Sequence, residues 1–251
     1  MKFHVLGPLE IHGADGVLPL PPKLSDLLAL LLCRPNRMVP ADRLADALWP
    51  GGPPRTAAKT LQGYVHHLRR HLGAHRLESR RPGYAVVVGR GEMDTECFAA
   101  AVGAGRAAIA GGRPGEGAAA LRSALALWRG APFEGLEHLS PTRGQAFRLT
   151  ELRLAAAEEW ASAELLLGRP AEVVGELYGV VADHPFHERP RTRLLQALYA
   201  LGRVAEALDV CRAGQRALAD ELGLAPSLEL QRLERALLTR DTPSVQAAVP
   251  S

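Results

Sequence analysis

A chain of 251 residues with 47% apolar and 23% charged content has the composition of a folded globular protein and room for two cores, which excludes disordered and collagen-like classes. Its net charge of +3 hides an asymmetry. Residues 1–90 carry thirteen Lys/Arg against six Asp/Glu, residues 91–251 carry seventeen against twenty-one, and residues 55–90 hold eight basic groups with Glu78 as their one acid. One half is thus built to meet a polyanion and the other is not.

The longest apolar run, Leu27 to Cys33, is far too short to cross a bilayer, and no signal peptide is evident, so a cytoplasmic protein without a membrane partner is expected. Cys33, Cys97 and Cys211 lie far apart in apolar helical surroundings and read as buried, reduced thiols.

In chain order, Phe3–Leu6, Leu9–Ile11 and Val17–Leu20 read as short strands punctuated by Gly7-Pro8 and Gly13–Gly16, a small antiparallel sheet. Lys23 to Cys33 is a helix apolar on nearly every side, and so the central one. Met38-Val39 adds a short strand. Ala41 to Trp49 is a second helix, closed by the rigid turn Trp49–Pro54.

Arg55 to Leu72 is the third helix. Leu61, Val65, Leu68 and Leu72 form one apolar stripe. Lys59, Gly63, His66 and Arg70 lie opposite, Gln62 and His67 flank them, and Thr60, Tyr64 and Arg69 stand at the edges. No carboxylate occurs from Arg55 to His75, although exposed helices usually mix signs. After Gly73-Ala74 stops the helix, Arg76–Val88 reads as a hairpin turning at Pro82-Gly83, with Arg80 and Arg81 near its tip. Sheet, three helices and hairpin make a winged-helix arrangement, with the helix suited to a major groove and the wing to adjacent backbone or minor groove.

The segments VLGPLEI, PPKLSDLLALLL, ADRLADALWP, AAKTLQGYVHHLRRHLG and RRPGYAV resemble the winged-helix domain shared by OmpR-type response regulators and Streptomyces antibiotic regulatory proteins. The resemblance implies that Lys59, Thr60, Gln62, Gly63, His66, His67, Arg69 and Arg70 bind DNA from the reading helix and Arg80 and Arg81 from the wing. It also implies that the turn carrying Trp49, Pro50 and Arg55 faces the sigma subunit of RNA polymerase. Two positions depart from the pattern. Ala85 stands where a basic residue often follows the wing's Gly-Tyr, and histidines occupy 66 and 67, which points to weaker phosphate anchoring or a different base preference.

From Asp94 the chain reads as helical to about Arg240. Gly112-Arg113, Gly168-Arg169 and Gly202-Arg203, each followed by Glu three residues after the Arg, recur between helices, the last two 34 residues apart. That period fits tetratricopeptide repeats, interrupted by an insertion at Arg129–Gly144. Ser227 is a good N-cap for a last helix to Thr239. Arg189, Arg191 and Arg193 read as a solvated face or a partner-binding one. This half resembles the bacterial transcriptional activator domain of the same antibiotic regulators.

The expected architecture is therefore an α+β winged-helix domain (1–92), an all-α tetratricopeptide-like domain (93–240) and a disordered tail (241–251). No Gly-rich phosphate loop, nucleophile elbow or CxxC pair occurs, and His67, His71 and His75 are too few and too interrupted for a metal site. No enzyme, metal or cofactor is expected. The resemblance implies a transcriptional activator of a secondary-metabolite cluster that binds tandem direct repeats in promoter DNA, dimerises there and recruits RNA polymerase. The competing reading is a tetratricopeptide-type interaction adaptor with incidental DNA affinity.

Overall fold

The computed structural model describes residues 1–247, and the chain divides into two compact units, 1–100 with 126–152, and 101–125 with 153 onward.

In the first unit, β1 (Lys2–His4), β2 (Glu10–Gly13) and β3 (Gly16–Val17) form an antiparallel meander in which Phe3 faces Ile11 and His12 faces Val17. The third strand is shorter than the sequence suggests because prolines at 19, 21 and 22 withhold the N–H donors a ladder needs. Then come α1 (Pro22–Leu32), β4 (Val39–Pro40), α2 (Ala41–Leu48), α3 (Ala57–Leu72), β5 (Leu77–Arg80) and β6 (Gly83–Val86). The second sheet has the order β4–β6–β5, with Tyr84 facing Val39 on one side and Ser79 on the other. α1 is the centre of the core: Leu27, Leu28 and Leu31 are fully buried, beside Leu61, Val65 and Leu68 of α3.

Gly83 is required at the wing. A Cβ there would stand 1.8 Å from the Val39 carbonyl oxygen, so any side chain would push β6 off β4.

The first unit is completed from much later in the chain. The Arg129 N–H donates to the Leu6 carbonyl (2.7 Å) and the Phe133 N–H to the Val5 carbonyl (3.0 Å). Arg129 also pairs with Glu10 (2.7 Å), and Phe133 is 1% exposed. The segment that interrupts the repeats in sequence is thus a structural part of the N-terminal unit.

α4 (Asp94–Ala110) and α6 (Ser140–Leu166) each run through a division between units. The other helices are α5 (Pro114–Leu125), α7 (Pro170–Asp183), α8 (Glu188–Ala200), α9 (Val204–Leu222) and α10 (Leu228–Thr239). The three Gly-Arg turns are one structure repeated. Gly112, Gly168 and Gly202 have φ of +72°, +70° and +74°, and each following Arg N–H donates at 2.9 Å to a carbonyl five residues back. This is the Schellman cap that glycine permits. Ser227 caps α10, its hydroxyl accepting from the Leu230 N–H at 3.3 Å.

Three expectations are corrected. Thr242–Ala247 is not an irregular tail but a short helix, α11, with Val245 1% exposed. An apolar residue with a place to be buried orders the segment; residues 248–251 of the expected tail lie outside the described residues. Arg191 and Arg193 are not solvated but 2% and 3% exposed, because they donate inward, Arg191 to the Pro185 carbonyl and Arg193 to Gln196 and Glu158. Of the three cysteines only Cys211 is buried, and burial pushes its thiol up to about 11; Cys33 and Cys97 are half-buried.

Candidate nucleic-acid interface

The α3 sequence alternates in the way its surface requires. Ala57, Leu61, Val65, Leu68 and Leu72 are buried, while Lys59, Gln62, His66, His67 and Arg70 are exposed. Thr60 and Gly63 are half-buried between them. A Cβ built on Gly63 would meet nothing within 4 Å, so the glycine leaves a shallow place in the exposed face. Helix α3 begins at Ala57 rather than Arg55, because Pro53 and Pro54 hold the preceding turn and the Ala57 N–H donates to the Pro54 carbonyl (2.8 Å). Its 16 residues span about 24 Å, long enough to cross a major groove.

Arg69 is turned away from this face. Its guanidinium donates to the Leu77 carbonyl (2.9 Å) and the Ser79 hydroxyl (2.6 Å), both on β5. It ties the helix to the wing. Arg80 and Arg81 are exposed at the wing turn, and Arg80 pairs with Glu78 at 3.1 Å. Ala85 is 4% exposed, so a cation there would point into the core.

The α2–α3 turn presents Pro50 and Arg55 exposed. Trp49 is half-buried and stacks on Tyr64 of α3, ring centroids 6.3 Å apart at 18°.

Two supports of this surface escape sequence reading. Arg76, at the base of the wing, makes a bidentate pair with Glu92, whose carboxylate also accepts the Gly89 N–H at 2.6 Å. The Arg76 hydrogen bonds hold the Glu92 carboxyl down at about 2. The Asp94 carboxylate accepts the Val5 and Leu6 N–H groups at 2.7 and 2.9 Å. Burial raises its pKa, against the pull of those two donors. Neither pairing has a local sequence signature. Among the described residues no group of three or more His, Cys, Asp or Glu side chains is gathered to hold a metal.

Residues 93–238 match the family described as bacterial transcriptional activator domain, and residues 15–86 match transcriptional regulatory protein, C terminal. Regulatory protein DnrI of Streptomyces peucetius is 32% identical over 253 residues, covering 96% of this chain and 93% of DnrI. The chain belongs to the Streptomyces antibiotic regulatory protein family. Other family relatives are longer. Regulatory protein AfsR of Streptomyces griseus is 35% identical over 96% of this chain, which spans 25% of AfsR. Transcriptional regulatory protein EmbR of Mycobacterium tuberculosis H37Rv is 34% identical over 95% of the chain, which spans 63% of EmbR. The solved structure of M. tuberculosis EmbR in complex with a low affinity phosphopeptide superposes with a TM-score of 0.86 at 32% identity, covering 98% of this chain and 68% of that one. This family member therefore has an OmpR-type winged-helix region followed by a helical domain. No described helix is long and apolar enough to cross a membrane.

Proposed function

We propose that this family member is a sequence-specific activator that reads direct repeats in promoter DNA with α3 and the wing. The observation that carries the reading is the exposed face of α3, which offers Lys59, Gln62, His66, His67 and Arg70 without a carboxylate. Phosphate neutralisation by Lys59, Arg70, Arg80 and Arg81 would supply most of the affinity and make it fall steeply with salt. Gln62, His66, His67 and Arg70 would read base edges, each good pair contributing about 1–3 kcal/mol of discrimination. Two copies would bind head to tail on tandem repeats. The loop at Trp49, Pro50 and Arg55 would meet RNA polymerase at its sigma subunit. The helical unit is read as tetratricopeptide-like, and the regulated genes as a secondary-metabolite cluster. The protein would act in the cytoplasm, on the nucleoid, without enzymatic activity.

Selection of bound duplexes from a random pool at near-physiological salt tests the reading. Enriched tandem repeats one helical turn apart support it. Inverted repeats would require a two-fold dimer in its place. General, salt-sensitive binding without enrichment would overturn it in favour of an interaction adaptor.

A further inference from the structure

The helical unit holds a groove of about 810 Å³ between α6 and α8. Arg189, Arg193, Gln196 and Ala200 line it from α8 at three- and four-residue spacing. Leu165, Leu166 and Ala163 of α6 give it an apolar floor. A largely apolar trough with a few fixed polar groups is how ligand sites are built.

Those polar groups are held in place. Arg193 donates to the Glu158 carboxylate (3.2 Å) and to the Gln196 side-chain oxygen (3.0 Å). With its oxygen so engaged, the buried Gln196 amide can only aim its N–H₂ away. It donates at 2.8 Å to the backbone carbonyl of Val245 in α11. Three residues further along α8, the Tyr199 hydroxyl shares a hydrogen bond with the Thr242 hydroxyl (2.8 Å).

α11 is six residues long, far below the length at which a helix is stable by itself. It packs against α10, and among the described residues its links to α8 and the groove are the buried Val245 side chain, the Val245 carbonyl and the Thr242 hydroxyl, an apolar anchor with flanking polar bonds of the kind a docked peptide makes. Its tether is the left-handed Arg240 (φ +55°), where α10 ends. Of the described α11 side chains, Val245 lines the groove.

We propose that this groove is a peptide-docking site which the chain fills itself, with α11 as a ligand in cis. The partner it fits is a short segment with the same chemistry: a hydroxyl side chain for Tyr199 and, three residues on, a branched apolar side chain whose carbonyl meets Gln196. The proposal is independent of DNA reading.

The test uses the full-length chain and a fluorescent peptide of residues 241–247, DTPSVQA. Val245→Asp should evict α11, and the variant should bind the probe at least about tenfold tighter than wild type, since a short tether holds its ligand at about millimolar effective concentration. Adding Tyr199→Phe should reverse about threefold or more of that gain, the loss of one hydrogen bond. A folded Val245→Asp chain that binds no better than wild type overturns the proposal. Should that variant fail to fold, hydrogen exchange on the wild-type chain decides. Amides of 242–247 that exchange faster as unlabelled peptide is added support displacement, and unchanged rates overturn it. If those amides are instead protected only as the chain dimerises with rising concentration, the groove belongs to α11 of a second copy and the proposal fails.

Discussion

Arg69 donates both Nε and Nη2 to the carbonyl oxygen of Leu77, at 3.2 and 2.9 Å, and so joins α3 to the first strand of the wing. Its neighbour Arg70 is exposed. Adjacent arginines, equivalent in composition, therefore have different surroundings. Arg69→Ala should cost about 1–2 kcal/mol of stability, from hydrogen bonds made by a charged donor. It should weaken DNA binding with little change in salt dependence. Arg70→Ala should leave stability within about 0.5 kcal/mol and reduce the salt slope by about one unit. Urea unfolding and binding titrations across salt concentrations separate the two. Equal salt slopes would show Arg69 to be a phosphate contact as well.

Gly63 lies in the interior of α3 with open space around its Cα. Gly63→Ala should raise stability by about 0.5–1 kcal/mol through helix propensity. If the shallow place at Gly63 admits the DNA backbone or a base edge, the same substitution should lower affinity several-fold. A thermal melt and a binding titration on one preparation check both. A more stable protein with unchanged affinity would place Gly63 outside the interface.

What the sequence made legible and what it did not divide by range. The α3 stripe, the Ser227 cap and the three Gly-Arg turns depend on neighbours within about five residues, and periodicity or glycine chemistry reveals them. The use of Arg69 depends on a carbonyl on β5. The burial of Arg191 and Arg193 depends on Pro185, Glu158 and the packing around α8. By local pattern alone, arginines at alternate positions read as solvated. The pairing of Arg129 and Phe133 with Leu6 and Val5 joins segments that no local rule connects. The exposed candidates on α3 were thus readable, while the residues that aim the wing were not.

Glu92 titrates at about 2 rather than 4.5 because Arg76 hydrogen-bonds its ionised form. A lowered pKa in the folded state stabilises the protein above the unfolded value, and that contribution is lost as pH falls from about 4.5 towards 2. Glu92→Gln should be less stable than wild type at neutral pH. The gap should narrow as pH falls through that window. Denaturant midpoints at several pH values between 2 and 6 measure it. The raised pKa of Asp94 acts in the opposite sense, so the comparison must be between the two proteins, not along one curve. Parallel curves would mean that Glu92 titrates alike in the folded and unfolded chains, and that the Arg76 pair does not lower its pKa on folding.

A fragment of residues 1–92 should be much less stable than the first unit in the full chain. It keeps Phe3, Val5 and Leu6, each fully buried in the complete protein, but loses what satisfies their backbone. Val5 and Leu6 lose the Asp94 carboxylate for their N–H groups. Their carbonyls lose Phe133 and Arg129. Each polar group left unpaired beneath apolar cover costs about 1–3 kcal/mol, while stability of a domain is only about 5–15 kcal/mol in total. The fragment escapes part of that cost by exposing the strand end to water, and then gives up the burial of three large side chains. Either way it should melt at a markedly lower temperature and expose its first two strands to hydrogen exchange. A 1–92 fragment as stable as the first unit, with protected amides at Val5 and Leu6, would show that the later segment decorates the winged helix without completing it.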